Sequence, residues 1–142
     1  MRGIAESLND QDIADLAAYY EAHGKVEGAA AAKAAEPSAK AAELLNKGGC
    51  VACHGKDLNA PISPDYPKLA GQHPDYLYHA LLAYQTSGNP IVGRTNAIMA
   101  GQVNSNPAVT TKDGKPRPFT RGELQDIAAY IGSIKGDLVL KK

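Results

Sequence analysis

Cys50 and Cys53 are separated by two residues and followed at once by His54, and they are the only cysteines in the 142-residue chain. A pair so close together cannot staple distant segments, so the fold is no disulfide framework and the meaning of the pair is local. Cys-x-x-Cys-His is the attachment signature of a c-type haem, in which each thiol adds across a vinyl group to form a thioether. Two intervening residues let one tight turn present both sulfurs while the adjacent imidazole is aimed at the iron. A structural zinc site would need four ligands, the missing ones drawn from scattered histidines. A thioredoxin-like pair would stand beside a βαβ pattern, and no strand-rich segment precedes this one. Chance occurrence is the remaining alternative.

Composition agrees with a bound cofactor. The chain has no Trp and a single Phe, thin for a self-sufficient core, and a buried macrocycle supplies apolar mass. Fifteen basic residues balance fifteen acidic ones, so no net field favours nucleic acid or an anionic membrane. No apolar stretch approaches the roughly 20 residues that cross a bilayer. The first twenty residues are acidic and amphipathic, without a signal-peptide pattern.

Spacing predicts helices. Ile13, Leu16, Ala17 and Tyr20 form one stripe behind Asn9 as N-cap, with Leu8 and Ile13 as a hydrophobic staple. The Ala- and Gly-rich run 24–37 reads as a partly helical linker, with His23 exposed before it. Ser38 caps a short helix that stops at Gly48 and Gly49, placing the cysteines at a helix-to-turn junction. The Pro- and Gly-dense stretch up to Gln72 reads as an ordered loop. Pro74 opens a helix with the stripe Leu77, Leu81, Tyr84, ended by Gly88. Residues 104–118 read as a small hairpin or a surface excursion. A last helix has Thr120 and Glu123 as capping box, Phe119 and Leu124 as staple, and Leu124, Ile127, Ala128 and Ile131 as stripe, before a fraying tail.

The first and last of these helices echo each other. DQDIADLAAYY near the start answers RGELQDIAAYI near the end, Leu8 answers Phe119, and Met1 with Gly3 answers Met99 with Gly101 once 104–118 is treated as an insertion. The chain thus opens on what reads as the final piece of a unit that it later contains whole.

One axial position on the iron remains after His54. Met99 stands 45 residues later in a Gly- and Asn-flanked segment expected to be a loop, which suits a thioether laid over the opposite haem face. A core-filling methionine is the plainer alternative. His73 and His79 are the rival ligands, each near a helix where a capping or solvent-exposed role is the commoner one. A thioether and imidazole pair raises the reduction potential relative to two imidazoles and leaves no open position for substrate, which suits an electron carrier.

From Ala39 to Ile134 the motifs CVACHG, PKLAGQHPDYLYHALLAYQTSG, RTNAIMAGQ and ELQDIAAYI, in that order, resemble the class I cytochromes c. Within that family they are similar to the dihaem c-four type proteins, specifically their C-terminal haem domain, and to single-haem relatives. The resemblance implies an all-α class I cytochrome c fold packed around one covalent haem c, with an extra N-terminal helix and linker. It divides the chain into a remnant closing helix at 1–23, the linker at 24–37 and the cytochrome domain at 38–142. It implies thioethers at Cys50 and Cys53, His54 and Met99 as iron ligands, the Pro67 carbonyl as acceptor for the proximal imidazole, and Gln72 and Arg94 as contacts to haem propionates. Ordinary loop polarity is the alternative for the last two.

The functional expectation is a non-enzymatic shuttle of single electrons in a bacterial respiratory chain, between redox protein donors and acceptors that include a membrane oxidase or reductase complex. The rival is a haem c relay subunit of a multi-subunit oxidoreductase, for example beside a flavoprotein; a ligand sensor with a labile Met99 is a third reading. Haem attachment of this type follows export, so the resemblance implies the periplasm. The orphan helix at 1–23 is expected to pack on another surface or to drive self-association, either in a fragment of a two-haem protein or in a one-haem relative.

Overall fold

A computed structural model of the chain describes residues 2–24, 39–89 and 91–138, with the side chains of residues 2, 21 and 23 excepted. The expectations for Met1, for the His23 side chain, for the linker beyond Gly24, for Ser38 as a cap and for the tail beyond residue 138 lie outside the described residues. Two compact units hold what is described, 2–24 and 39–138. No strand forms among the described residues; the fold is all-α.

The first unit consists of α1 (Arg2–Ala5) and α2 (Asp10–Gly24). Asn9 caps α2: its side chain accepts the Asp12 N–H at 2.9 Å, while the Asp12 carboxylate accepts the Asn9 N–H at 3.0 Å. This reciprocal pair satisfies two amides that a helix start otherwise leaves bare. The stripe is not covered within this unit: Ile13 is 52% exposed, Leu16 43% and Tyr20 68%. The expected burial of these residues is therefore not met by α1 and α2 themselves, which are too small to provide a second apolar face.

The second unit comprises α3 (Ala39–Lys47), α4 (Cys50–His54), α5 (Pro74–Gln85), α6 (Ala97–Ser105) and α7 (Arg121–Ser133). Helix α7 packs on α5 and α3, α6 packs on α5, and α3 adjoins α4. The core is built from Ala41, Leu44 and Leu45 of α3, Leu77 of α5, and Leu124, Ile127, Ala128 and Ile131 of α7, each set at i, i+3, i+4 or i+7 spacing where it has several members. Thr120 and Glu123 form the expected capping box. Pro74 occupies the first turn of α5, where its missing N–H costs nothing. That helix ends at Gln85, short of Gly88, because the Thr86 hydroxyl and N–H take the carbonyls of Leu82 and Ala83. Close approach of α7 to α5 depends on Gly132, where an added Cβ would lie 2.6 Å from Pro74 Cγ and 2.9 Å from the Gln72 carbonyl oxygen.

The loop 55–73 is ordered by one strained residue. Leu58 is fully buried with φ 58°, a left-handed conformation unusual for a branched side chain. Its carbonyl accepts from both Leu69 N and Ala70 N, at 2.8 and 2.9 Å, closing the loop on itself. Gly71 N then bonds the Ile131 carbonyl at 3.1 Å and ties the loop to α7.

Residues 106–118 form a hairpin-like turn with an isolated antiparallel bridge between Thr110 and Pro116. It is more than a surface excursion, since Val109 at its root is buried in the core. Arg117 holds the far side, donating to both Glu123 oxygens at 2.7 Å, and Phe119 N bonds the Val103 carbonyl at 3.0 Å.

Candidate haem site

Helix α3 stops where Gly48 and Gly49 return their N–H groups to Leu44 and Asn46. Gly49, at φ 64°, is the N-cap of α4. The cysteines consequently lie within a one-turn helix of their own and not merely at a junction. In this single turn Cys50 and Cys53 are three residues apart and share a face. Gly48 leaves room for the packing around them, since a Cβ there would stand 3.0 Å from Cys50 Sγ and 3.2 Å from Phe119 Cζ. Burial pushes the Cys50 thiol up to about 11, opposite to the depressed value of a redox-active or nucleophilic Cys-x-x-Cys. Among the described residues no cluster of three or more His, Cys, Asp or Glu side chains is arranged to hold a metal ion, so the zinc alternative has no ligand set.

His54 is 5% exposed. Its Nδ1 lies 2.8 Å from the Pro67 carbonyl oxygen. A carbonyl only accepts, so Nδ1 carries the proton and donates, and Nε2 is left with a free lone pair. Nε2 is buried and has no hydrogen-bond partner among the described residues. Such an orphan costs about 1–3 kcal/mol unless something fills it.

His54 lines a cavity of about 490 Å³. Its lining includes all seven residues singled out from the sequence: Cys50, Cys53, His54, Pro67, Gln72, Arg94 and Met99. Apolar walls come from Leu77 and Leu81 of α5, Phe119, and Leu124, Ile127 and Ile131 of α7, so the helix stripes converge on it. A cavity of this size, mostly apolar with a few polar groups, suits a flat hydrophobic macrocycle with two charged edges. An orphan imidazole nitrogen, two thiols on one turn and an apolar chamber together fit a covalent haem.

Met99 lies in the first turn of α6 and not in a loop. The Asn96 side chain accepts its N–H at 3.0 Å and starts the helix. Small residues and the absence of an apolar period hid this helix from the sequence pattern. His73 and His79 are exposed and do not line the cavity. Arg94 lies over the rings of Tyr76 and Tyr84, 5.7 and 5.6 Å from their centroids, and donates to the Tyr76 hydroxyl at 3.1 Å. These hydroxyls, Tyr76 first, raise its already high pKa, so it is a fixed cation at the cavity wall. Gln72 turns its oxygen to the His73 N–H at 2.8 Å, leaving its amide nitrogen for another acceptor.

Several lining residues escaped sequence reasoning, among them Tyr66, Gln102 and Lys68. Tyr66 sets its ring edge-on to His54, with centroids 6.1 Å apart, and was signalled only by its place beside Pro67. Gln102 falls one turn after Met99, legible only once α6 is known to be a helix. Lys68 lines the cavity while pairing with Asp137 at 2.6 Å.

Comparison with known proteins agrees with this geometry. The cytochrome c family model matches residues 38–135. The chain is 40% identical over 93 residues to cytochrome c4 of Stutzerimonas stutzeri, covering 63% of this chain and 38% of that protein. It is 33% identical over 93 residues to cytochrome c4 of Azotobacter vinelandii, covering 60% and 42%. It is 32% identical over 90 residues to cytochrome c-554(548) of Halomonas halodenitrificans, covering 61% and 84%. The chain thus spans about half or less of the length of the cytochromes c4 it matches. No solved structure matched it. An all-α unit whose helix stripes close on a chamber holding Cys50, Cys53 and His54, matched across 38–135, makes the chain a member of the cytochrome c family that carries one covalent haem c through two thioethers.

Proposed function

We propose that the chain transfers single electrons through a haem c ligated by His54 and Met99, as a carrier and not an enzyme. The orphaned Nε2 of His54, a residue that lines the same chamber as Met99, is the observation that supports this most directly. When bound, the haem supplies the one-electron couple; the chain tunes and shields it. Pro67 orients the proximal imidazole through the Nδ1 hydrogen bond and raises its basicity. Met99 would contribute a thioether to the haem, and its soft sulfur would favour ferrous iron and a higher potential. Arg94, fixed over two tyrosine rings, and the amide nitrogen of Gln72 are the groups assigned to the haem propionates.

The far-red absorption band of methionine-ligated ferric haem tests the assignment of His54 and Met99. The wild-type holoprotein is expected to show it and Met99→Ala to lose it; a band that survives the substitution refutes the assignment.

The physiological setting we infer is a bacterial periplasm and a respiratory chain, with docking at the apolar rim of the cavity, where Ile98 and Tyr76 are exposed. Only Arg94 among residues 76–111 is charged, which favours small, short-lived apolar contacts. Exchange of electrons with several small redox proteins supports the shuttle, whereas stable co-purification with one flavoprotein-type partner would instead make the chain a relay subunit. Release of the native protein by osmotic shock tests the compartment. We also assign residues 1–23 to a closing helix pair like α6 and α7, because α2 repeats both the capping box and the stripe of α7. The exposed stripe on α2 is the surface proposed for self-association, and unchanged oligomeric state after deletion of residues 1–23 would refute that role.

A further inference from the structure

We infer that Gln85 and Asn104 are positioning residues that latch the Met99-bearing helix to the wall of the haem cavity and set how readily the iron opens to an outside ligand. This rests on the His54 and Met99 reading above. Helix α6 starts at the Asn96 cap, three residues ahead of Met99, and its other end is fastened to α5 by two side-chain amides that run in opposite directions. Gln85, the last residue of α5, donates through Nε2 to the Phe119 carbonyl at 2.8 Å and to the Val103 carbonyl at 3.2 Å. Asn104, on α6, donates through Nδ2 to the Tyr84 carbonyl at 3.0 Å and to the Ala100 carbonyl of its own helix at 2.9 Å.

The carbonyls chosen are those a helix end cannot satisfy itself: Tyr84 in the last turn of α5 and Val103 in the last turn of α6. Each amide nitrogen has two hydrogens, so both latches use their whole donor capacity. All four bonds are partly buried, and a carbonyl deprived of its donor there is not freely rescued by water. Val103 is buried, lines the cavity, and stands one helical turn beyond Met99 on the same face. Its carbonyl also accepts from Phe119 N, so Gln85 joins α5, α6 and the lead-in to α7 at one point beside the chamber. With the cap at one end and the latch at the other, the turn carrying Met99 has little freedom to swing away.

A methionine that leaves the iron exposes a site that imidazole fills, so the apparent affinity for imidazole reports the open fraction. Gln85→Met keeps side-chain volume and removes both donors; Asn104→Ala removes the reciprocal pair and serves as a second variant if the first gives no holoprotein. In the ferric holoprotein each variant is expected to bind imidazole about tenfold more tightly than wild type, the equivalent of roughly one buried acceptor left unpaired. Variants that melt at lower temperature but bind imidazole within twofold of wild type would show a merely structural role and overturn the latch. Absence of the far-red band in wild type would instead sink the ligation reading, and the latch with it.

Discussion

Glu123 gathers more donors than any other carboxylate described in this chain, and its protonation has a calculable effect. It accepts from Arg117 twice at 2.7 Å, from Thr120 N at 2.8 Å and from the Thr120 hydroxyl at 3.0 Å. The Arg117 guanidinium, aided by Thr120, holds its carboxyl down from the ordinary 4.5 to about 2 against the opposing effect of burial. A carboxylate with a depressed folded value stabilises the fold above its unfolded pKa and loses that contribution as pH falls through the folded one. A gap of about 2.5 pH units at about 1.36 kcal/mol each caps the contribution at about 3 kcal/mol at pH 7, and solvent screening of a pair this near the surface lowers it to about 1–3 kcal/mol. Linkage leaves about three quarters of this at pH 4 and about two fifths at pH 3. Glu123→Gln removes the titration while keeping the shape and a residue able to serve in a capping box. Urea unfolding of the holoprotein across pH 3–7, followed by far-ultraviolet circular dichroism, should show the wild type ahead by about 1–3 kcal/mol at pH 7, with more than about half of that lead lost at pH 3. A lead that stays constant over that range would refute the ion-pair account and leave only a pH-independent packing effect.

Gly132→Ala should destabilise the second unit by about 1–3 kcal/mol, read as a lower thermal midpoint, because the new Cβ overlaps Pro74 and the Gln72 carbonyl. Leu124→Ala should cost about 2–5 kcal/mol, since that side chain is fully buried, whereas Ile13→Ala at the matching place of the repeat should change unfolding by less than about 0.5 kcal/mol. Equal losses for these two would show that the stripe on α2 is buried in solution.

The two halves of the repeat show what pattern alone can and cannot tell. Asn9 with Asp12 and Thr120 with Glu123 make the same reciprocal cap, and both were legible because a cap joins residues three apart. The stripes are equally legible, yet Leu124 is buried and Ile13 half exposed, since burial depends on what other elements supply and not on the stripe itself. Helix α6 was missed for the converse reason: Asn96 starts it by a local bond, but its residues are small and its neighbours, through Gln85 and Phe119, hold it in place.

By itself the sequence determined the chemistry of attachment, because Cys50, Cys53 and His54 act within a single turn, and it determined where α5 and α7 begin, because Pro74 and the Thr120 box act within three residues. Only the tertiary structure decided that Pro67, Gln72, Arg94 and Met99 meet around one chamber, that the proton of His54 sits on Nδ1, and that Val109 closes the core from an apparent excursion. Those outcomes join residues far apart in the chain, His54 and Pro67 by 13 positions and His54 and Met99 by 45, and such contacts form only when burial of the shared apolar surface offsets the entropy of closing the chain between them.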